Sequence, residues 1–150
     1  MSTINLRILL ADDDDDDCSF FEEALAEIQI PTQLEIVRDG AELIKYLSIN
    51  YHQMPDVLFL DLNMPIKNGF ECVEEIKLNE QLKNLPVIIL SNSRQENIIN
   101  LLRKIGADYF IRKSGSFAKL KRVIHYALTI IATPQTNLAK ETFVLNNADT

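Results

Sequence analysis

Residues 8–13 read Ile8-Leu9-Leu10-Ala11-Asp12-Asp13, four apolar residues in an unbroken run closed by carboxylates. The run does not alternate, so neither face of such a strand meets water, as in a parallel strand covered by helices on both sides. Val57-Leu58-Phe59-Leu60, Val87-Ile88-Ile89-Leu90 and the shorter Tyr109-Phe110-Ile111 have the same form, and Leu34-Glu35-Ile36-Val37 is a weaker fifth. Parallel neighbours need long crossovers, and each interval carries apolar residues at helical spacing. The first has Phe20, Phe21, Ala24, Leu25 and Ile28; the second, opened by Asp39-Gly40, has Leu43, Ile44 and Leu47. Phe70, Val73 and Ile76 mark the third, and Ile98, Leu101, Leu102 and Ile105 the fourth, with Gly106 as its C-terminal cap. The fifth runs from Phe117 through Leu120, Ile124 and Leu128 to Ile131, after Ser116 as N-cap and before Pro134 as terminator. Five strand-then-helix units predict an α/β protein, an open parallel sheet between two helical layers with right-handed crossovers.

A chain of 150 residues fits one domain, placed at 1–132, with 133–150 expected as a short polar C-terminal tail and no output domain. No apolar run approaches the ~20 residues that span a bilayer. The first residues lack the basic patch and long apolar stretch of a secretory signal, so the expectation is a cytoplasmic protein without membrane contact. Cys18 and Cys72 then read as free thiols used in packing. The net charge is −7, and the six aspartates at 12–17 carry six of those charges, so the acidity is local. Short basic groups such as Lys119, Lys121 and Arg122 do not make the stripe that nucleic acid demands, whereas concentrated carboxylates call for a cation.

The residues that follow the apolar runs decide the chemistry, because open α/β sheets bind ligands at the carboxyl ends of their strands. Asp12 and Asp13 follow the first run, Asp61 the third strand, Ser91 the fourth, and Lys113 the fifth after Arg112. Three carboxylates, a hydroxyl and an ammonium would share one edge. That set binds a hard divalent cation through oxygen, offers a carboxylate nucleophile and supplies partners for a phosphoryl group. Mg²⁺ suits it better than zinc, since no His or Cys lies at a strand end.

In Ile8-Leu9-Leu10-Ala11-Asp12-Asp13, in Asp61-Leu62-Asn63-Met64-Pro65 with Gly69, in Ser91 and in Lys113, with the spacings between them, the chain resembles the response-regulator receiver family. The likeness covers roughly Leu6 to Ile131. It implies a flavodoxin-like (βα)5 fold, strand order 2-1-3-4-5, acting as a phosphoacceptor signalling protein and not an enzyme. Asp61 would accept a phosphoryl group from a sensor histidine kinase or histidine phosphotransfer protein. Asp12, Asp13, Asp61 and the backbone carbonyl of Asn63 would hold Mg²⁺, and Ser91 and Lys113 would bind phosphate oxygens. Ser91 and Phe110 would then switch the surface of the fourth helix, fifth strand and fifth helix toward a downstream protein target, the chain being a monomer or a phosphorylation-dependent dimer. Three positions depart from the family's habit: Asn92 where a small residue is usual, Ser114 in place of the proline after Lys113, and Phe110 in place of tyrosine. The longer stretch from Asp13 to Asp61 resembles small single-domain regulators that serve phytochrome-type kinases.

Two other functions compete. A haloacid-dehalogenase-type phosphatase also forms an aspartyl phosphate at a strand end, but that family places a second Asp two residues on, where Asn63 stands. A receiver-like interaction module independent of phosphorylation draws support only from Asn92 and Ser114. Asp12, Asp14, Asp16 and Glu23 echo a calcium loop without its turn glycine. Asp14 to Asp17 read as solvated charges that favour a helix start, and His125 as a surface or boundary residue.

Overall fold

The computed structural model describes residues 5–133 and 142–148. The five apolar runs form β1 (Leu6–Ala11), β2 (Thr32–Val37), β3 (Val57–Asp61), β4 (Val87–Ser91) and β5 (Tyr109–Arg112). Alternating with them are α1 (Asp15–Glu27), α2 (Gly40–Ile49), α3 (Gly69–Leu78), α4 (Glu96–Ile105) and α5 (Phe117–Ala132); a last helical turn is α6 (Leu145–Ala148). Among the described residues the strands form one parallel sheet in the order β2-β1-β3-β4-β5, the expected flavodoxin-like topology.

Burial explains why the runs were continuous. β3 and β4, in the middle of the sheet, are buried at every position, whereas β2 at the edge alternates and has the weaker apolar signal. Successive side chains go to opposite layers. Ile8 and Leu10 pack with α1 and α5 residues such as Phe21 and Ile124, while Leu9 and Ala11 pack with Leu43, Val73 and Leu102 of α2, α3 and α4. Each large side chain so buried contributes about 1.5–3 kcal/mol, and Phe59 adds an edge-to-face contact with Phe21 at 5.0 Å between ring centroids.

The helix starts are built by short polar side chains. Asp39 and Ser116 each accept a backbone N–H of the first turn, and Asn68 forms a reciprocal capping box with Glu71. Asn68→Ala should therefore cost about 1 kcal/mol, read as a shifted urea midpoint with unchanged slope; an unaltered midpoint would show that the cap carries no weight. Gly106 ends α4 with φ of 114°, a conformation that favours glycine. Gly69 serves a different end: a Cβ there would lie 2.8 Å from the Asp61 carbonyl oxygen. The missing side chain lets α3 start against the backbone of Asp61. Pro134 lies outside the described residues; α5 ends at Ala132 with Thr133 as its C-cap.

Residues 142–148 are not only polar. Phe143 and Leu145 are buried, on opposite sides of the sheet. Between them the chain lies along the free side of β5. The Phe110 N–H donates to the Phe143 carbonyl at 2.9 Å. The Asn146 side chain accepts the Arg112 N–H at 2.7 Å and donates to the Arg112 carbonyl at 3.1 Å. Asn146 thus pairs with β5 as a neighbouring strand would. The sequence signal was the trio Phe143-Val144-Leu145, too short to assign without its docking surface.

Candidate functional site

The backbone brings the strand ends together. The Asp12 N–H still donates to the Val37 carbonyl at 3.0 Å, so the ladder holds Asp12 one residue past β1. Asp61 is the last residue of β3, in register with Leu90, and Ser91 is the last of β4, in register with Arg112. The Lys113 N–H donates to the Ser91 carbonyl at 2.8 Å, which fixes where the lysine leaves β5. Asp12, Asp61 and Ser91 are the buried polar residues of the described core. The Ser91 hydroxyl accepts the Ser93 N–H at 3.1 Å.

One ammonium organises the carboxylates. The Nζ of Lys113 lies 2.8 Å from Asp17 Oδ2, 3.0 Å from Asp61 Oδ1 and 3.4 Å from Asp12 Oδ2. Burial pushes the Asp12 carboxyl up to about 6, against the Asp14 N–H and Lys113, which favour the anion. Burial likewise raises Asp61 against the pull of Lys113. Burial alone would lower Lys113, but the bond to Asp17 and the charges of Asp61 and Asp12 outweigh it and raise its pKa.

Carboxylate oxygens of Asp12, Asp13 and Asp61 lie within 4.8 Å of one another. Two are buried and one is exposed, so a cation held there would keep a water-facing side. Against these three and Asp17 stand the Lys113 ammonium, which pairs with Asp12, Asp17 and Asp61, and the less direct Arg38 guanidinium, which pairs with Asp15. Oxygen-only ligands, a deficit of positive charge and an open side fit Mg²⁺ or a similar hard divalent ion. The exposed Asn63 follows in the β3–α3 loop. In the same loop Ile66 stands 80% exposed with φ of 69°, a strained backbone for a β-branched residue, and nothing in the sequence marked it.

The carboxylates at 14–17 start α1 as expected, with 14–16 exposed, but the expectation needs correction at Asp17, which is drawn to Lys113. Asp14 is the N-cap of α1, accepting the N–H groups of Asp16 and Asp17, and Asp15 pairs with Arg38. Asp16 is exposed. Asp17, at the third position of the helix, reaches Lys113. The available signal was helical phase, since Asp17 lies four residues before the buried Phe21 and seven before the buried Ala24. The remaining singled-out residues settle simply. The described residues contain no cis peptide, so Lys113–Ser114 is trans. Phe110 is fully buried, its ring centroid 6.4 Å from that of Phe143. Cys18 and Cys72 are buried free thiols, and His125 is exposed.

A parallel β2-β1-β3-β4-β5 sheet with a lysine-centred acidic cluster at its carboxyl edge defines a receiver-type signalling domain. The chain belongs to the response regulator receiver domain family, whose model matches residues 8–125. It is 31% identical over 121 residues to the response regulator Rcp1 of Synechocystis sp., covering 78% of this chain and 82% of that one. The phosphorylated cyanobacterial phytochrome response regulator RcpA superposes with a TM-score of 0.79 at 32% identity, covering 89% of this chain and 98% of that one. A Mn²⁺-bound form of Rcp1 superposes with a TM-score of 0.76 at 29% identity, covering 87% and 97%.

Proposed function

We propose that this chain acts as a response-regulator receiver in which Asp61 accepts a phosphoryl group from a sensor histidine kinase or histidine phosphotransfer protein, with Mg²⁺ at Asp12, Asp13, Asp61 and the Asn63 carbonyl. The observation that carries the reading is the Lys113 ammonium set 3.0 Å from Asp61, which itself belongs to the three-carboxylate cluster. A bound Mg²⁺ would neutralise charge between the anionic donor and the anionic acceptor. Asp61 supplies the nucleophilic oxygen at the end of a rigid strand. Lys113 supplies a point charge to the equatorial phosphoryl oxygens, and the Ser91 hydroxyl, one strand over, a hydrogen bond.

The output runs through protein contacts. Ser91 and Phe110 sit on the adjacent strands β4 and β5, so drawing Ser91 toward a phosphoryl group would bias the packing of Phe110 on the α4 side of the sheet, and through it the surface of α4, β5 and α5. In this chain Phe110 also touches the docked segment at Phe143. The likeness to RcpA and Rcp1 supports a phytochrome-type kinase as the phosphoryl source. No helix among the described residues is long and apolar enough to cross a membrane, and the buried free thiols suit a cytoplasmic setting.

The test is uptake of phosphate from acetyl phosphate, followed by intact mass. The expected result is one phosphoryl group per chain, formed only with Mg²⁺ and lost in base, with the modified peptide containing Asp61. No gain in mass would favour an interaction module independent of phosphorylation, and a serine-linked phosphate would overturn the reading.

A further inference from the structure

Lys113 has three N–H donors and three carboxylate partners, and the three differ in kind. Asp61 is the residue read above as phosphoacceptor, and Asp12 belongs with it to the cluster fit for a cation. Asp17 belongs to neither, yet its contact of 2.8 Å is the shortest of the three. Once a cation and a phosphoryl group are present, the oxygens of Asp12 and Asp61 have other partners to satisfy. Asp17 does not.

We infer that Asp17 is a positioning residue: by holding the Lys113 ammonium from the first turn of α1, it keeps that charge where the phosphoryl oxygens on Asp61 arrive. The inference rests on the reading of Asp61 as acceptor. Geometry favours it in three respects. Asp17 is fixed at its backbone by the α1 N-cap, since its N–H donates to Asp14 Oδ1. Lys113 is fixed at its own by the bond to the Ser91 carbonyl. The two side chains meet beside a cavity of about 40 Å³, also lined by Leu10, Phe20 and Leu120, so one side of the pair is sheltered from solvent. An ammonium held by Asp61 and Asp12 alone would lose its anchors at the moment of transfer.

In that transfer from acetyl phosphate, an Asp61 oxygen forms the new P–O bond. The P–O bond to acetate breaks, and acetate leaves with the electron pair; no proton has to move. Asp17 makes and breaks no bond, so its effect should fall on the maximal rate and not on donor affinity. Removing its negative charge could only ease the approach of an anionic donor.

Rates of phosphoryl uptake from acetyl phosphate at saturating Mg²⁺, read by intact mass, separate the possibilities. Asp17→Asn should lower the maximal rate about fivefold, the scale for one charge-assisted hydrogen bond at a half-exposed site, with half-saturating donor unchanged or lower. Asp17→Glu should recover most of the rate. Asp16→Asn, which removes the same charge from the exposed neighbouring position, should keep the wild-type maximum. Mg²⁺ affinity of Asp17→Asn, from thermal melts, should stay near wild type because Asp17 is outside the cation cluster. At saturating Mg²⁺, where Asp12 and Asp61 have the cation to satisfy, the Lys113 ammonium should give a slowly exchanging NMR signal that Asp17→Asn abolishes. A wild-type maximal rate in Asp17→Asn, or an equal fall in Asp16→Asn, would overturn the inference while leaving the acceptor reading intact. Wild-type protein that takes up nothing would overturn both.

Discussion

Asp61→Asn is expected to take up no detectable phosphoryl group under conditions that load the wild-type protein, while folding normally and melting at a higher temperature in the absence of Mg²⁺. The chemical half follows from the amide, whose delocalised lone pair leaves an oxygen of little nucleophilicity and no charge. Neighbouring groups are poorly placed to substitute. Asp12 Oδ1 accepts the Asp14 N–H and Oδ2 faces Lys113, and Asp13 is exposed. The stability half follows from burial, which disfavours the Asp61 anion more than Lys113 compensates. Asparagine has the same shape, keeps an oxygen for Lys113 and removes the buried charge, and the lysine retains Asp17 and Asp12. Intact mass and thermal melts of one preparation check both halves. Uptake that persists in Asp61→Asn would place the acceptor elsewhere, with Asp13 next to be mapped.

The second large effect concerns pH. Asp12 is pushed up to about 6 in the folded protein from 3.8, so between those values the folded state binds more protons than the unfolded state. Stability attributable to Asp12 therefore falls as pH rises through that window and stays low above it. Two pKa units correspond to about 3 kcal/mol. Lys113, raised above its ordinary value, stays charged throughout this window and contributes nothing to the slope. Asp12→Asn, measured in urea with chelator present, should match wild type near pH 4 and exceed it by about 3 kcal/mol above pH 6. Saturating Mg²⁺ at pH 7.5 should narrow the gap, since the cation stabilises only a fold that binds it. Parallel stability curves for the two proteins across pH 4 to 7 would show that Asp12 is not destabilised by its burial.

Both effects come from residues that the sequence placed correctly at strand ends, and the reason is local. A parallel strand buried on both faces writes itself as a continuous apolar run, and a polar residue at its end, such as Asp12 or Asp61, is conspicuous against that run. The helices were legible from spacing, and Gly106 and Ser116 from the needs of helix ends. Asp17 was not legible in the same way. Six consecutive aspartates carry one local signal, and their roles separate only when the start of α1 sets the helical phase: a cap at Asp14, a surface pair at Asp15, solvent at Asp16 and the site at Asp17. The docking of Phe143 and Leu145 was hidden for a related reason. Three apolar residues in a polar stretch have no periodicity to read, and their place depends on a groove made by residues far away in sequence.

The pairing of residues 143–146 with β5 also bears on how copies of this protein meet. A sheet ends in two strands with unmatched backbone groups, and each is a template for pairing with another chain. Here the β5 border is closed by the molecule's own chain, with the Phe110 N–H and both backbone groups of Arg112 already matched. Among the described residues the open border that remains is β2, where exposed Gln33 and Glu35 alternate with half-buried Leu34 and Ile36. Like charges from Glu35 of two copies would oppose strand-to-strand stacking there. Protection against aggregation is thus split between a covering segment at one border and a charge at the other.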